Sequence, residues 1–131
     1  MTHDEKVATA IAELQLGAFR YGETDCCQFA ARVIEKVSGK VFGEMFEYTS
    51  EEEAIEIIGR QTLREFISGV VSASPVRFED ALSGDPVLVD SDNSAFGYAI
   101  GIKFRESVAV KTKRSVVLMS KAIAICAWRV V

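Results

Sequence analysis

A change of hydrophobic period near Pro75 divides the chain and does most to limit what it can fold into. Before that point apolar residues recur at helical spacing; after it come short runs rich in Val and Ile, separated by polar breaks. Val7, Ala10, Ile11 and Leu14 form one face of a helix from Asp4 to about Leu16, with Gly17 placed to end it. A second helix opens at Thr24–Asp25, where either side chain can cap backbone N–H groups. It carries Phe29, Ala30, Val33, Ile34 and Val37, and Ser38-Gly39 stops it. Ser50 and Glu53 have the spacing of a capping box, which starts a third helix with Ala54, Ile55, Ile57 and Ile58 on its apolar face. Leu63, Phe66, Ile67 and Val70 suggest one more, ending near Gly69 to Ser74.

Beyond Pro75, Ser83-Gly84-Asp85-Pro86 reads as a turn leading into the apolar run Val87-Leu88-Val89. Asp90 to Ser94 is a polar loop, and strand-like segments follow at about 97–104, 107–111, 115–119 and 122–130. Their spacing fits an antiparallel meander. Helices first and strands later specify an α+β fold, with N-terminal helices on one face of a four- or five-stranded sheet. The 131 residues suit a single domain, 1–131, with no internal repeat and no linker.

Composition narrows the class further. With 49% hydrophobic and 26% charged residues the chain is too apolar to be disordered. No apolar stretch approaches the roughly 18 residues that a membrane span needs. Met1 to Lys6 lacks the basic-then-apolar order of a secretory signal, and three cysteines without metal-ligand spacing fit a reduced, cytoplasmic protein. A formal net charge of −4 argues against nucleic acid as the main partner, and no membrane partner is implied. The charge is nevertheless uneven. From Lys103 onward the bases Lys103, Arg105, Lys111, Lys113, Arg114, Lys121 and Arg129 face one acid, Glu106. Lys111 to Arg114 suggests a hairpin tip. These bases serve either to dock an acidic partner or, more simply, to keep exposed strands from pairing edge to edge.

The segment with chemical content is Phe19-Arg20-Tyr21-Gly22-Glu23-Thr24-Asp25-Cys26-Cys27-Gln28-Phe29. A cysteine in the first turn of a helix sits at the positive end of the helix dipole, which favours thiolate over thiol. Backbone N–H groups at such a terminus can also receive a developing oxyanion. Cys26 is therefore a candidate nucleophile, with Tyr21, Asp25 and Cys27 as candidate walls of a pocket beside it. The simpler alternative makes Cys26 and Cys27 small buried hydrophobes, Asp25 a helix cap and Tyr21 a packing residue. Cys126 and Trp128 read as core residues of the last strand. Glu51-Glu52-Glu53 reads as a solvated first turn rather than a metal site, and neither metal nor cofactor is implied.

Gly22-x-x-Asp25-Cys26-x-x-Phe29 resembles the nucleophile motif of NlpC-type cysteine peptidases, cell-wall enzymes with a papain-like fold. Gly84-Asp85-Pro86-Val87-Leu88-Val89 is similar to that family's Gly-Asp-apolar first strand, and Ala99-Ile100-Gly101-Ile102 to its second, normally His-apolar-Gly-Ile. The chain also resembles a family of phage and prophage proteins of similar length that share Tyr-Gly-x-x-Asp-Cys, Gly-Asp, Gly-Ile and a terminal Ala-Trp-Arg-Val, here Ala127-Trp128-Arg129-Val130. The resemblance implies an NlpC-type arrangement with Cys26 facing Ala99 on the second strand. It also places Ala99 where the general base should be, and the residue that would orient that base within Val108 to Lys111, where no His, Asn or Gln stands.

The sole histidine is His3, and reaching Cys26 would require the first helix to fold back over the mouth of the sheet. Asp90 and Asp92 are solvated carboxylates, poor proton acceptors at neutral pH. Three functional expectations follow. The first is a catalytically inactive, phage- or prophage-derived protein that uses the scaffold for binding or assembly, with a phage or cell-wall component as partner. The second is an active cysteine hydrolase or acyltransferase, such as a peptidoglycan peptidase or amidase, with an unconventional base. The third is a redox-sensing thiol at Cys26.

Overall fold

The computed structural model describes residues 1–14, 26–42, 52–53, 56, 62–90, 98–112 and 115–131. Helix α1, His3–Leu14, buries Val7 and Ala10. Helix α2, Cys26–Ser38, buries a stripe that includes Phe29, Ala30, Val33 and Ile34. It stops as the sequence predicts: Gly39 adopts φ +79° and donates its N–H to Glu35 O at 2.8 Å. Helix α3, Leu63–Val71, matches the last predicted helix and begins at Thr62, whose Oγ1 accepts from Glu65 N at 3.2 Å. The Thr62-x-x-Glu65 spacing is itself a capping box. Of the expected helix from Ser50 to Ile58, only residues 52, 53 and 56 are described, and all three are helical. The stop at Gly17 and the cap at Thr24–Asp25 lie outside the described residues.

Five strands follow: β1 Pro86–Asp90, β2 Tyr98–Phe104, β3 Ser107–Lys111, β4 Val116–Ser120 and β5 Ala124–Ala127. They form one antiparallel sheet in the order β4-β3-β2-β1-β5. The first four make the expected meander. The fifth corrects it, because β5 crosses to the far side and pairs with β1, Val87 opposite Ala127. The predicted strand at 122–130 is also shorter. Ser120 caps a 3-10 turn at Lys121–Ile123, and Trp128 to Val131 leave the ladder. At Gly101 β2 and β3 approach so closely that a Cβ would meet Val108 Cγ1 at 2.5 Å and Ala109 O at 2.8 Å.

Both faces of the sheet are covered, each by its own apolar cluster. On the helical face, Leu88, Ile100, Ile102, Ala109 and Trp128 pack with α1, α2 and α3. On the other, Val87, Val89, Ala99, Val108 and Val110 pack under Phe78 and Ala81 from the segment before β1. The burial of two strand lysines, Lys103 under that second cover and Lys111 on the helical face, corrects the expected charge distribution. Lys103 and Lys111 are not exposed strand residues; they are 8% and 4% accessible. Lys103 Nζ donates to Phe78 O and Ala81 O, both at 2.8 Å, and lies 4.4 Å from the Phe78 ring centroid. It ties the covering segment to the sheet. No helix among the described residues is long and apolar enough to cross a membrane.

Candidate functional site around Cys26

Cys26 is the first residue of α2, half-buried, and it packs against both apolar clusters. The orientation of α2 follows from its far end, where Lys40, just beyond Gly39, donates to Val130 O. Val130 is in turn held by Asp85 at the start of β1. A helix of 13 residues spans about 18 Å. Its first turn therefore lies toward the opposite end of the sheet, where Val89 pairs with Ala99 near the start of β2. Cys26 thus occupies a helix start packed on an antiparallel sheet, in contact with the cluster to which Ala99 belongs.

The described side chains of that cluster are apolar. Ala99 contributes a methyl group, and its cluster neighbours Val87, Val89, Val108 and Val110 are aliphatic. Within 108–111, where the resemblance places an orienting residue, the chain supplies two valines, an alanine and a buried lysine whose Nζ donates to Thr112 O at 3.0 Å. His3 does not approach. Its Nε2 is 2.5 Å from Ser83 O, beside the turn that precedes β1, and neighbouring Asp4 pairs with Arg105 at 3.4 Å. Both contacts hold the N-terminus of α1 at the end of the sheet away from Ala99. Asp90 is exposed at the end of β1. Asp92, Tyr21 and Asp25 lie outside the described residues.

The two adjacent cysteines have different surroundings. Cys27 belongs to the helical-face cluster and lines an apolar cavity of about 20 Å³ with Ala30, Ile34, Ile67, Val70 and Ile100. Cys27 and Ala99 thus sit in separate clusters rather than in one wall. None of the three cysteines is joined in a disulfide, and burial pushes the Cys126 thiol above its ordinary range while Arg64 acts in the other direction. Gln28, in the same first turn, is buried, and no buried side-chain N or O among the described residues lacks a hydrogen bond. No group of three or more His, Cys, Asp or Glu among those residues could hold a metal ion.

Among the described residues, a buried side chain with three hydrogen bonds to backbone is one that the sequence shows only as part of a motif. Asp85 is fully buried, with Oδ2 accepting from Leu82 N at 2.8 Å and Oδ1 from Val130 N and Val131 N at 2.7 and 2.9 Å. The aspartate of the Gly-Asp pair therefore clamps Val130 and Val131 to the start of the sheet. Its signal in the sequence was the pairing of Gly84-Asp85 with a distant Trp128-Arg129-Val130, which is a contact and not a reactive group.

Residues 1–130 match the model of a domain of unknown function, DUF6950. The chain belongs to the DUF6950 family. No curated protein matches it. The match spans α1, the Cys26 helix and every strand, so the DUF6950 unit includes both the candidate thiol and the Asp85 clamp.

Proposed function

We propose that this DUF6950 chain is a phage- or prophage-derived protein that uses an NlpC-like scaffold for binding or assembly, without catalysis. One observation carries the reading. Among the described residues, the Ala99 cluster against which the helix-start thiol packs is apolar, while the sole imidazole of the sequence is hydrogen-bonded to Ser83 O toward the other end of the sheet. Thiol catalysis requires a base within about 2.6–3.2 Å and a partner to orient it. The α+β order, with a cysteine opening a helix on an antiparallel sheet, supports the NlpC-like part of the proposal.

The test is to incubate the purified protein with peptidoglycan fragments and with thioester and amide probes. No turnover above the uncatalysed rate is expected, for the wild type or for Cys26→Ala. Turnover that disappears in Cys26→Ala would overturn the proposal and favour a cysteine hydrolase.

A further inference from the structure

The two edges of the sheet are finished differently. On the β5 edge the strand is short, its register with β1 shifts between Leu88 and Val89, and Val76 bridges to Ala127. Bulges and covering segments of this kind keep an edge from pairing with another chain. Among the described residues, strand β4 has none of these. Ser115 to Ser120 reads Ser-Val-Val-Leu-Met-Ser, with no charge and no proline. Leu118 is 57% accessible, and Val117 and Met119 are also exposed. Of the bases expected to guard such an edge, Lys103 and Lys111 are buried and Lys121 pairs with Glu106 at 2.7 Å, while Lys113 and Arg114 lie outside the described residues.

Which backbone groups face outward follows from the hairpin. Thr112 N donates to Ser115 O across the β3–β4 turn. Antiparallel pairs alternate between bonded and non-bonded, so Val110–Val117 and Val108–Met119 carry the ladder to β3. Val116, Leu118 and Ser120 therefore aim their N–H and C=O groups at the open side. On the helical face, Val116 and Leu118 join Ala8, Ile11, Ala12 and Phe104 around an apolar groove of about 380 Å³ between β4 and α1.

We infer that β4 is a homodimer interface, pairing antiparallel with β4 of a second copy about a two-fold axis at Leu118. Leu118 is the midpoint of the five-residue strand, so one register satisfies every outward group: Leu118 with its own copy and Val116 with Ser120 of the partner subunit. A two-fold contact must be self-complementary, and this uncharged strand opposes no like charges when paired with itself. The groove on each side of the seam would take apolar side chains from the other copy. Edge-to-edge pairing of two five-residue strands with the flanking grooves is a small contact, in the class of weak, transient association rather than of an obligate dimer. The result is a concentration-dependent dimer built on a ten-stranded sheet. It does not depend on what happens at Cys26.

Sedimentation equilibrium from about 5 to 500 µM should show the mass rising from 14.4 kDa toward twice that value. Leu118→Lys and Leu118→Pro should each weaken association at least tenfold. The proline removes only an outward N–H, as edge strands tolerate, so an unchanged Trp128 fluorescence spectrum and thermal midpoint verify that the fold is kept. In a Cys26→Ser background, Leu118→Cys should form an intersubunit disulfide under mild oxidation, because bonded antiparallel partners have Cα atoms about 5.5 Å apart. Val116→Cys, opposite the partner's Ser120, should not. A monomer throughout the range would overturn the inference. So would a dimer that survives both Leu118 variants, or cross-linking through residue 116 but not 118.

Discussion

Removing the Asp85 carboxylate should loosen the C-terminal tail and lower stability by an amount that can be counted from its hydrogen bonds. The side chain is fully buried and accepts three backbone N–H bonds, from Leu82, Val130 and Val131. In Asp85→Ala the Val130 N–H stays buried without a partner, at about 1–3 kcal/mol. The other two bonds are only partly buried, so water can reach those donors and each loss falls near the low end of that range. The sum is about 3–5 kcal/mol, a large share of the roughly 5–15 kcal/mol that holds a domain folded. Asp85→Asn should cost less, about 1–3 kcal/mol. Its carbonyl oxygen can still serve Val130 and Val131, while its amide N–H2 meets the Leu82 donor. Urea unfolding followed by Trp128 fluorescence is the natural assay, since Trp128 is the only tryptophan and its N–H bonds Pro86 O beside the clamp. The midpoint should fall in the order wild type, Asn, Ala, with little change in the denaturant slope. An alanine variant within about 0.5 kcal/mol of wild type would refute the clamp. An asparagine variant as unstable as alanine would show that charge, and not the count of N–H donors, is what matters.

Four other outcomes follow from the same geometry. Lys103→Met keeps the aliphatic stem but strands the carbonyls of Phe78 and Ala81; it should cost about 2–4 kcal/mol in urea unfolding and increase proteolysis of the segment before β1. Gly101→Ala places a Cβ 2.5 Å from Val108 Cγ1 and should lower stability by at least about 2 kcal/mol, read from the thermal midpoint. Among the thiols, iodoacetamide should modify half-buried Cys26 first, with Cys27 and Cys126 protected until unfolding, as peptide mass spectrometry would show. Cys126 titrates higher folded than unfolded, so its contribution is intact below the ordinary thiol value of 9.0 and is lost as pH rises through the folded value. The alkaline decline in stability should be shallower in Cys126→Ala.

How much of this was legible in the sequence depends on the range of the contact involved. The helices were readable because the periodicity of Val7 and Ala10, the stop at Gly39 and the face of Leu63 and Ile67 are set within a few residues. Strand β3 was legible to the residue, since Arg105-Glu106 and the turn after Lys111 bound it tightly. The crossing of β5 to β1 was not. It is decided by a partner 40 residues away in the chain, and a run such as Ile123-Ala124-Ile125-Cys126 pairs equally well with either edge. Nor was the burial of Lys103. Ala99, Gly101 and Lys103 alternate with Ile100, Ile102 and Phe104 and look like the outer face of a half-buried strand. The deciding piece is Phe78, a single aromatic in an otherwise polar stretch, which folds over that face and brings two carbonyls to the ammonium.

The candidate site divides along the same line. The features that make Cys26 look like a nucleophile are local, belonging to one helix start, and they survive in the fold. In the proposed NlpC-like arrangement the partner a nucleophile needs would come from a strand some 70 residues later, and there the chain carries a methyl group packed among valines. An imidazole at position 99 would enter an aliphatic cluster with no described side chain placed to orient it, and burying it unpaired carries a penalty of about 1–3 kcal/mol. The sheet beneath Cys26 is thus optimised as packing, and a single substitution at Ala99 would supply a base without the surroundings that make a base work. A helix-start cysteine is compatible with thiol chemistry, but the strand opposite decides whether that chemistry has anywhere to send its proton.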